Sequence, residues 1–419
     1  MIDPATRPLP PLRLSALDIF PVPADGQRLF CLRDRSEPSS APLVVSEDAL
    51  RLASLLNGQR SLKAVSIAFL LQTGVQLSER QIAEFIERLD EASLLESDAF
   101  RSRLEQQRRA FLERPTRPAI HAGGAYPANR AELEPFLDDF FATPDGPGRP
   151  PAAPTGRVAR ALVAPHIDLH RGGPAYAWTY RALAECEPAD IYVLLGTCHS
   201  SMQTPLAATR KAFQTPLGPA PIALDFLDTL EAIYPGDLYE DEYSHRGEHS
   251  LEFQALYLRY LGRVGESGAA IVPLLCGSLH EWVVPGDSPL EAAVVSGAIE
   301  ALRQTLARSE RRVCLVAGAD LAHVGPQFGD PGRVTAGVLG AVERGDAEML
   351  EIICRGDAEG FYRQVMSDGD ARRICGLAPI YYLLSLVGPG EGRLLKYGRW
   401  VDPQGHGSVT FAGVIFEEC

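Results

Sequence analysis

The 419-residue chain lacks the hallmarks of several common protein classes. It has three lysines, Lys63, Lys211 and Lys396, and its 54 acidic side chains against 40 basic ones give a net charge of −14. This acid excess excludes a general nucleic-acid binder, because affinity for the phosphate backbone comes mainly from Lys and Arg. There is no run of about 20 apolar residues, so no membrane-spanning helix is expected. The eight cysteines are scattered without paired spacing, which indicates reduced thiols.

Two further absences narrow the choice of location and chemistry. Residues 1–11 contain four prolines and no apolar segment, so a secretory signal is not expected and we predict a cytoplasmic protein. No G-x-G-x-x-G, Walker A or G-x-S-x-G element follows an apolar run. Dinucleotide-binding, NTP-binding and serine-hydrolase interpretations therefore lose their usual support.

The first hundred residues have the pattern of a small separate unit. Apolar runs at 17–22 and 29–32 flank Asp25-Gly26, which predicts a β-hairpin. Ser46, Ser61 and Ser78 each precede apolar residues at helical spacing, and Ser78 with Gln81 forms a capping box. We predict a winged-helix-like α+β domain over residues 1–105. Residues 78–97 carry six acids against two arginines, which disfavours DNA binding.

The remainder predicts a larger α/β domain over residues 119–419, joined to the first by a linker at 106–118. Apolar runs at 161–164, 191–195, 271–275 and 313–317 alternate with helical patterns at 176–184, 250–261 and 290–306. This alternation predicts a mixed, largely parallel sheet flanked by helices, closed by a hairpin around 402–405. Pro273 places its strand at an edge or makes it begin late. The six arginines of residues 101–117 predict a solvated connecting helix.

Polar residues that suit metal binding follow the predicted strands. His166 follows the first run, His199 the second, and Asp320 and His323 the last. Ligands of open α/β sheets bind beyond the carboxyl ends of the strands, so these side chains should converge. Two imidazoles and a third, anionic ligand form a common site for Fe, Zn or Cu. Asp320 and Cys375 are the candidates for that ligand, and a helix starting near 377 should lower the pKa of the Cys375 thiol.

A second histidine cluster lies between the second and third runs. His245 and His249 have the i, i+4 spacing of helical metal ligands, but Gly247 between them argues against one continuous helix. The H-E-x-x-H motif of zinc proteases is absent. We expect a helix to begin at 248–250, with His249 and Glu252 directed towards the site.

Seven short motifs, in order, carry a family resemblance. They are HAGGAYP at 121–127, APH at 164–166, LGTCHSS at 195–201, TPLG at 215–218, EHSLEFQ at 248–254, GADLAH at 318–323 and RRICG at 372–376. From about residue 117 to the end, the chain resembles the Memo family in its bacterial form, AmmeMemoRadiSam system protein B. The front segment resembles PqqD-like peptide-recognition domains in its PLVVSEDALRLASLLNGQRSL and IERLDEASLLES stretches.

The resemblance implies a fold similar to class III extradiol dioxygenases, which bind Fe(II) at the strand ends. By position, the implied metal ligands are His166, His199 and Cys375. Asp320 and His323 match a second pair of active-site residues of the family, and the resemblance implies that His323 is the acid/base. Glu248 and His249 lie in the family's EHS motif. We expect Fe(II) as the metal, and a thiolate ligand would also admit Cu(I) or Zn(II).

The sequence also departs from the family pattern. Ala125 replaces a Trp, Ile167 and Asp168 follow the APH motif where small residues are usual, Ser200 replaces a second His, and the His that usually follows the RRICG cysteine is absent. The implied partners are a radical SAM enzyme and an AMMECR-type protein, with a peptide at the front domain. Two alternatives stay open: a non-catalytic adaptor that presents a peptide to those partners, and a zinc hydrolase.

Overall fold

The computed structural model describes residues 7–14, 17–22, 28–34, 42–151, 153–266 and 268–418. The chain divides into two compact units, residues 1–113 and residues 114–419. The turn predicted at Asp25-Gly26 lies outside the described residues. Within the described residues, no helix combines the length and apolar character needed to cross a membrane.

The first unit is a small α+β structure, as predicted. Its elements are β1 (Leu17–Val22), β2 (Leu29–Asp34), β3 (Leu43–Ser46), α1 (Glu47–Ser54), α2 (Leu62–Thr73), α3 (Glu79–Glu91) and α4 (Asp98–Leu112). The strands form an antiparallel sheet in the order β1-β2-β3. The side chains of Ser46, Ser61 and Ser78 accept hydrogen bonds from the first turns of α1, α2 and α3, and the capping box of Ser78 and Gln81 is formed. Serine caps thus set three helix starts.

The second unit is the larger α/β structure. Its strands are β4 (Thr116–Arg117), β5 (Val158–Ala164), β6 (Ile191–Thr197), β7 (Leu206–Ala208), β8 (Ala212–Phe213), β9 (Ala270–Cys276), β10 (Val313–Gly318), β11 (His323–Val324), β12 (Gly392–Val401) and β13 (Ser408–Glu418). Its helices are α5 (Arg130–Ala142), α6 (Leu169–Glu185), α7 (Leu224–Ile233), α8 (His249–Tyr260), α9 (Ala293–Arg308), α10 (Ala336–Cys354), α11 (Ala358–Met366) and α12 (Leu377–Val387).

The central sheet is mixed and largely parallel, which confirms the predicted fold class. In the described part of the chain its order is β11-β13-β5-β10-β6-β9-β7, with β12 paired to β13. Strands β5, β10, β6 and β9 run parallel, whereas β13 and β7 pair antiparallel to their neighbours. Apolar residues of α5, α6 and α8 pack on one face, and those of α7, α9, α10, α11 and α12 on the other. Covering both faces explains why the strands are apolar throughout.

The prediction that Pro273 places its strand at an edge or makes it begin late is wrong, since β9 already begins at Ala270 and is an inner strand. Strand β9 lies between β6 and β7, and Pro273 is opposite Leu194 of β6. The N–H of Ile271 points away from β6 to the carbonyl of Pro221, so the nitrogen of Pro273, two residues on, faces the same side. On that side β7 pairs only from Leu274 onwards. The N–H that Pro273 lacks would therefore face a gap between the segment at Pro221 and strand β7, so its absence breaks no hydrogen bond of the sheet.

Candidate metal centre

The carboxyl ends of three adjacent parallel strands form the floor of the site. The last residues of β5 and β10 lie level with Gly196, the last but one residue of β6, and β10 is in the middle. His166 follows β5, Asp320 follows β10 and His199 follows β6, each within two residues of its strand. The expected convergence at this edge is therefore observed, because parallel strands that end level present the residues after them side by side.

Helix α8 adds the next functional residue, His249, at its first position. The Ser250 hydroxyl donates a 2.8 Å hydrogen bond to the carbonyl of Thr197 at the end of β6. Gly196 and Gly318 make this close approach possible, since a Cβ on Gly196 would lie 2.5 Å from Ser250 Oγ and one on Gly318 would overlap the Ser250 carbonyl. The helix starts at His249, within the predicted range of 248–250, and Gly247 separates it from a 3-10 turn that the sequence did not predict.

Three histidines face one another at this point. Single ligand atoms from His166, His199 and His249 all lie within 4.8 Å of one another, so the three side chains could hold a metal ion. Their ring centroids are 5.1 Å apart for His166 and His199, 5.2 Å for His166 and His249, and 4.9 Å for His199 and His249. His166 is buried, His249 is half-buried and His199 is exposed, so the cluster opens to solvent on one side.

The polar contacts of the three rings are made through Nδ1, except that Nε2 of His166 also faces the Cys375 thiol and the Asp320 carboxylate. Nδ1 of His166 lies 2.9 Å from the carbonyl oxygen of Gly318, and a carbonyl only accepts, so this nitrogen donates. Nδ1 of His199 lies 3.0 Å from the Glu248 carboxylate. Nδ1 of His249 lies 3.3 Å from the other oxygen of the same carboxylate. A protonated Nδ1 leaves a lone pair on Nε2, which is the arrangement found in metal-binding histidines.

Glu248 is the charged group between two of these rings. It accepts hydrogen bonds from the backbone N–H groups of Ser250 and His199, at 3.0 Å each. Burial alone would raise the pKa of the Glu248 carboxyl, but the His199 and His249 rings and the Ser250 N–H hold it well below its usual range. Desolvation alone would lower the pKa of His199, and the Glu248 charge reverses that and raises it. Glu248 is thus an orienting carboxylate in this structure.

The other two imidazoles are held neutral. Burial lowers the pKa of His166 to about 3, and the neighbouring His199 adds to that shift. Burial likewise lowers the pKa of His249 well below its ordinary value. A metal ion therefore competes with few protons at these two nitrogens near neutral pH.

Cys375 lies beside His166 in the same cluster. Its Sγ is 3.2 Å from Nε2 of His166 and 3.7 Å from the carbonyl oxygen of Asp320. The prediction that the start of α12 lowers the thiol pKa is wrong: burial raises the pKa of Cys375 well above its usual range, and the nearby Asp320 carboxylate adds to the effect. In this state the thiol carries a proton, which a metal bound to both atoms would displace.

Asp320 and His323 follow β10 on the same edge. The Asp320 carboxylate accepts a 2.9 Å hydrogen bond from the backbone N–H of His166, and burial raises the pKa of Asp320 to about 6. Nδ1 of His323 lies 3.1 Å from the carbonyl of Leu321, which fixes this ring. Burial lowers the pKa of His323, although the Asp320 charge opposes the shift. Asp320 thus acts on His323 through its charge, and the Leu321 carbonyl orients the ring.

Glu252 and His245, which the sequence suggested as site residues, lie outside the three-histidine cluster. The buried carboxylate of Glu252 contacts the Arg117 guanidinium and the Tyr126 hydroxyl, and accepts from the His121 N–H. Arg117 is itself completely buried, so the expectation of a solvated arginine stretch is wrong at this position. His245 is buried with Nε2 3.0 Å from the Ala207 carbonyl, and it is outside the three-histidine cluster.

His121, which the strand-end pattern does not indicate, lies against the cluster. Its ring centroid is 5.8 Å from that of His249 and 5.9 Å from that of Phe253, both edge-on, and its Nε2 lies 3.1 Å from the Gly247 carbonyl. His121 precedes the sheet in sequence, so a search of strand ends could not find it. The signal that could have done so is the HAGGAYP motif, which it opens.

The fold and site together define an α/β protein with a candidate three-histidine metal centre at the carboxyl edge of its sheet. A family model described as Memo-like protein matches residues 117–415, so the chain belongs to the Memo family. It is 27% identical over 380 residues to a MEMO1 family protein of Aquifex aeolicus, covering 90% of this chain and 93% of that one. It is 30% identical to a MEMO1 family protein of Thermus thermophilus, covering 81% and 93% of the two chains.

Proposed function

We propose that this chain is a metal-dependent redox protein that binds Fe(II) at the edge of its sheet. The observation that carries the proposal is the convergence of His166, His199 and His249, each of which has its Nδ1 atom next to an acceptor oxygen. Neutral imidazoles are good ligands for iron, copper and zinc. The Cys375 thiol beside His166 supplies a softer donor, so Cu(I) and Zn(II) are the competing metals.

The donor set of the bound metal is proposed to be His166 and His199 with Cys375, as the family resemblance implies. His249 is the alternative third donor, because it completes the cluster geometrically. The two assignments differ in spectroscopy, since a thiolate ligand gives Co(II) an intense near-ultraviolet charge-transfer band and an imidazole does not. In Cys375→Ser that band should vanish while Co(II) stays bound. In His249→Ala it should persist.

The surrounding residues would orient ligands and move protons. If these residues hold ferrous iron, the metal would supply binding and activation of dioxygen, as in the extradiol enzymes that the family is expected to resemble. Glu248 holds His199 and His249 in position. His323 is kept neutral by burial and its Nδ1 faces the Leu321 carbonyl, so its Nε2 can accept a proton from a substrate hydroxyl.

The direct test is metal analysis of protein purified without oxygen, followed by oxygen uptake. We expect about one iron per chain, lost in His166→Ala and His199→Ala, with oxygen consumed only by the iron-loaded protein. Stoichiometric metal that persists in both variants would contradict the site assignment. Stoichiometric zinc without reaction towards oxygen would favour a hydrolase instead.

We further propose that the first unit binds a partner, as expected for a PqqD-like domain working with a radical SAM enzyme and an AMMECR-type protein. The supporting observation is helix α2, whose Ile67 and Leu71 are 51% and 80% exposed although both are apolar. Isolated exposed leucines are ordinary, but two on one helix with exposed Val75 just beyond it favour a contact surface. The occupant would be an apolar peptide segment of such a partner.

Full-length Ile67→Glu/Leu71→Glu protein tests this role against a purified radical SAM partner. Loss of the complex with metal content unchanged would support an adaptor function of the first unit. An unaffected complex would contradict it.

A further inference from the structure

The segment that carries Cys375 has an unusual backbone. It joins α11 to α12, and it contains Asp370 with φ +55° and Arg373 with φ +51°. Among the described residues, three non-glycine residues have positive φ, and two of them are these. The left-handed region is unfavourable for residues other than glycine, so surrounding contacts must hold Asp370 and Arg373 there.

Asp370 makes contacts of this kind. Its Oδ1 accepts a 2.8 Å hydrogen bond from the backbone N–H of Ile374, the residue directly before Cys375. Its Oδ2 lies 3.0 Å from Nε2 of His280, which belongs to the short 3-10 turn after β9. The Asp370 backbone carbonyl also accepts from the N–H of Arg373 at 2.9 Å. The Asp370 side chain therefore ties the left-handed turn to the 3-10 turn that follows β9.

The far end of the same segment is fixed against the site. The Thr197 hydroxyl donates to the Cys375 carbonyl at 3.0 Å, and the N–H of Gly376 donates to the Asp320 carbonyl at 3.0 Å. A Cβ on Gly376 would lie 2.5 Å from that carbonyl oxygen. The segment therefore packs closely against the residues that follow β10. The direction of the thiol thus depends on two anchors, Asp370 before it and Gly376 after it.

We propose that Asp370, braced by His280, is a positioning residue that holds the Cys375 thiol towards His166. Asp370 contacts neither the thiol nor the three histidines in any hydrogen bond of the described residues, and it acts through the backbone of Ile374. The inference rests on the proposed metal site in one respect, that Cys375 serves that site. Its structural part, the placement of the thiol, can be measured without metal.

The metal-free measurement is residue-specific alkylation of the full chain by iodoacetamide, read by peptide mass spectrometry. The Cys375 thiol is only partly exposed and is held against His166 and the Asp320 carbonyl, so we expect slow alkylation in the wild type. In Asp370→Ala, loss of both contacts should release the segment and speed alkylation of Cys375 about tenfold or more. Cys354, also partly exposed, serves as the internal reference. His280→Ala should give a smaller increase, because the Ile374 contact remains.

The second measurement uses Co(II) alone as the probe. Asp370→Ala should lose most of the thiolate charge-transfer intensity of the wild type while Co(II) stays on the histidines. The matched control is Asp190→Ala, which removes a carboxylate that bonds the Arg312 N–H at 2.9 Å and faces the Arg312 guanidinium at the opposite edge of the sheet. This control should match the wild type in both measurements.

The outcomes separate the inference from the proposed function. Unchanged alkylation of Cys375 in both Asp370→Ala and His280→Ala overturns the positioning role. A wild-type protein whose Co(II) spectrum has no thiolate band overturns Cys375 as a ligand, and the alkylation rates then decide the positioning role by themselves. Should Asp370→Ala fail to fold, His280→Ala decides, since His280 is 45% exposed and its loss leaves no cavity.

Discussion

Glu248 is the residue on which the orientation of two site histidines depends. Its carboxylate faces Nδ1 of both His199 and His249. The same carboxylate accepts a hydrogen bond from the backbone N–H of Ser250 in the first turn of α8. In Glu248→Gln the amide cannot accept from both rings with equal strength, and the two imidazoles become less basic. We expect metal affinity to fall about 10- to 100-fold. Competition titration with a chelating dye measures this, and the exposed Glu351→Gln should leave the affinity unchanged.

The number of protons released on metal binding depends on which side chains are ligands. The pKa of His199 is raised, so at pH 6 this ring carries a proton that a metal must displace, whereas His166 and His249 are already neutral. Cys375, with its raised pKa, gives up a second proton if it is a ligand. Between pH 5 and 6 the affinity should therefore fall about 100-fold for the wild type as the pH is lowered.

The Cys375→Ser variant isolates the thiol's share of this pH dependence. Its affinity should fall only about tenfold over the same interval, with one proton released instead of two. Calorimetric titration in buffers of different ionisation enthalpy counts the protons. Equal counts for the wild type and the variant would indicate that the thiol takes no part in binding.

At the scale of elements, the contact between α8 and the ends of β6 and β10 sets the position of His249. Gly318→Ala places a methyl group where the Ser250 carbonyl lies, so α8 must shift. We expect a loss of about 1–3 kcal/mol in unfolding free energy and weaker metal binding. Gly340→Ala in α10 is the control, because its Cβ would meet only the Arg344 guanidinium at 3.6 Å. Chemical denaturation with and without Zn(II) distinguishes the two variants, and equal behaviour would contradict a shift of α8.

The sequence predicts the strand-end part of the site well, for a physical reason. Apolar runs define parallel strands, and the residues just after each run must gather at one edge, so His166, His199 and Asp320 could be placed together. The predicted orientation of Glu252 is wrong because its carboxylate pairs with the buried Arg117, which lies 135 residues earlier in the chain and could not be foreseen from local spacing. The predicted lowering of the Cys375 pKa is wrong because desolvation of the thiol outweighs the effect of one helix start.

The whole molecule contains separate cores in its two units, and this separation should be visible in unfolding. The core of the first unit contains Val65, Phe69 and Leu89, while the second unit surrounds its sheet with two further clusters. Leu89→Ala should cost the first unit about 2–5 kcal/mol. We expect a thermal scan to show that unit's transition lowered and the other unchanged.

Metal should act on the other transition. A ligand at 100 times its dissociation constant stabilises the state that binds it by about 2.7 kcal/mol. Because the histidines all belong to the second unit, added Zn(II) should raise only that unit's transition, and His166→Ala should abolish the rise. Calorimetry of the full chain with Leu89→Ala and His166→Ala, singly and together, checks both effects. Two transitions that always move together would show that the units unfold as one, and the separate assignment of partner binding and metal chemistry would then lose its structural basis.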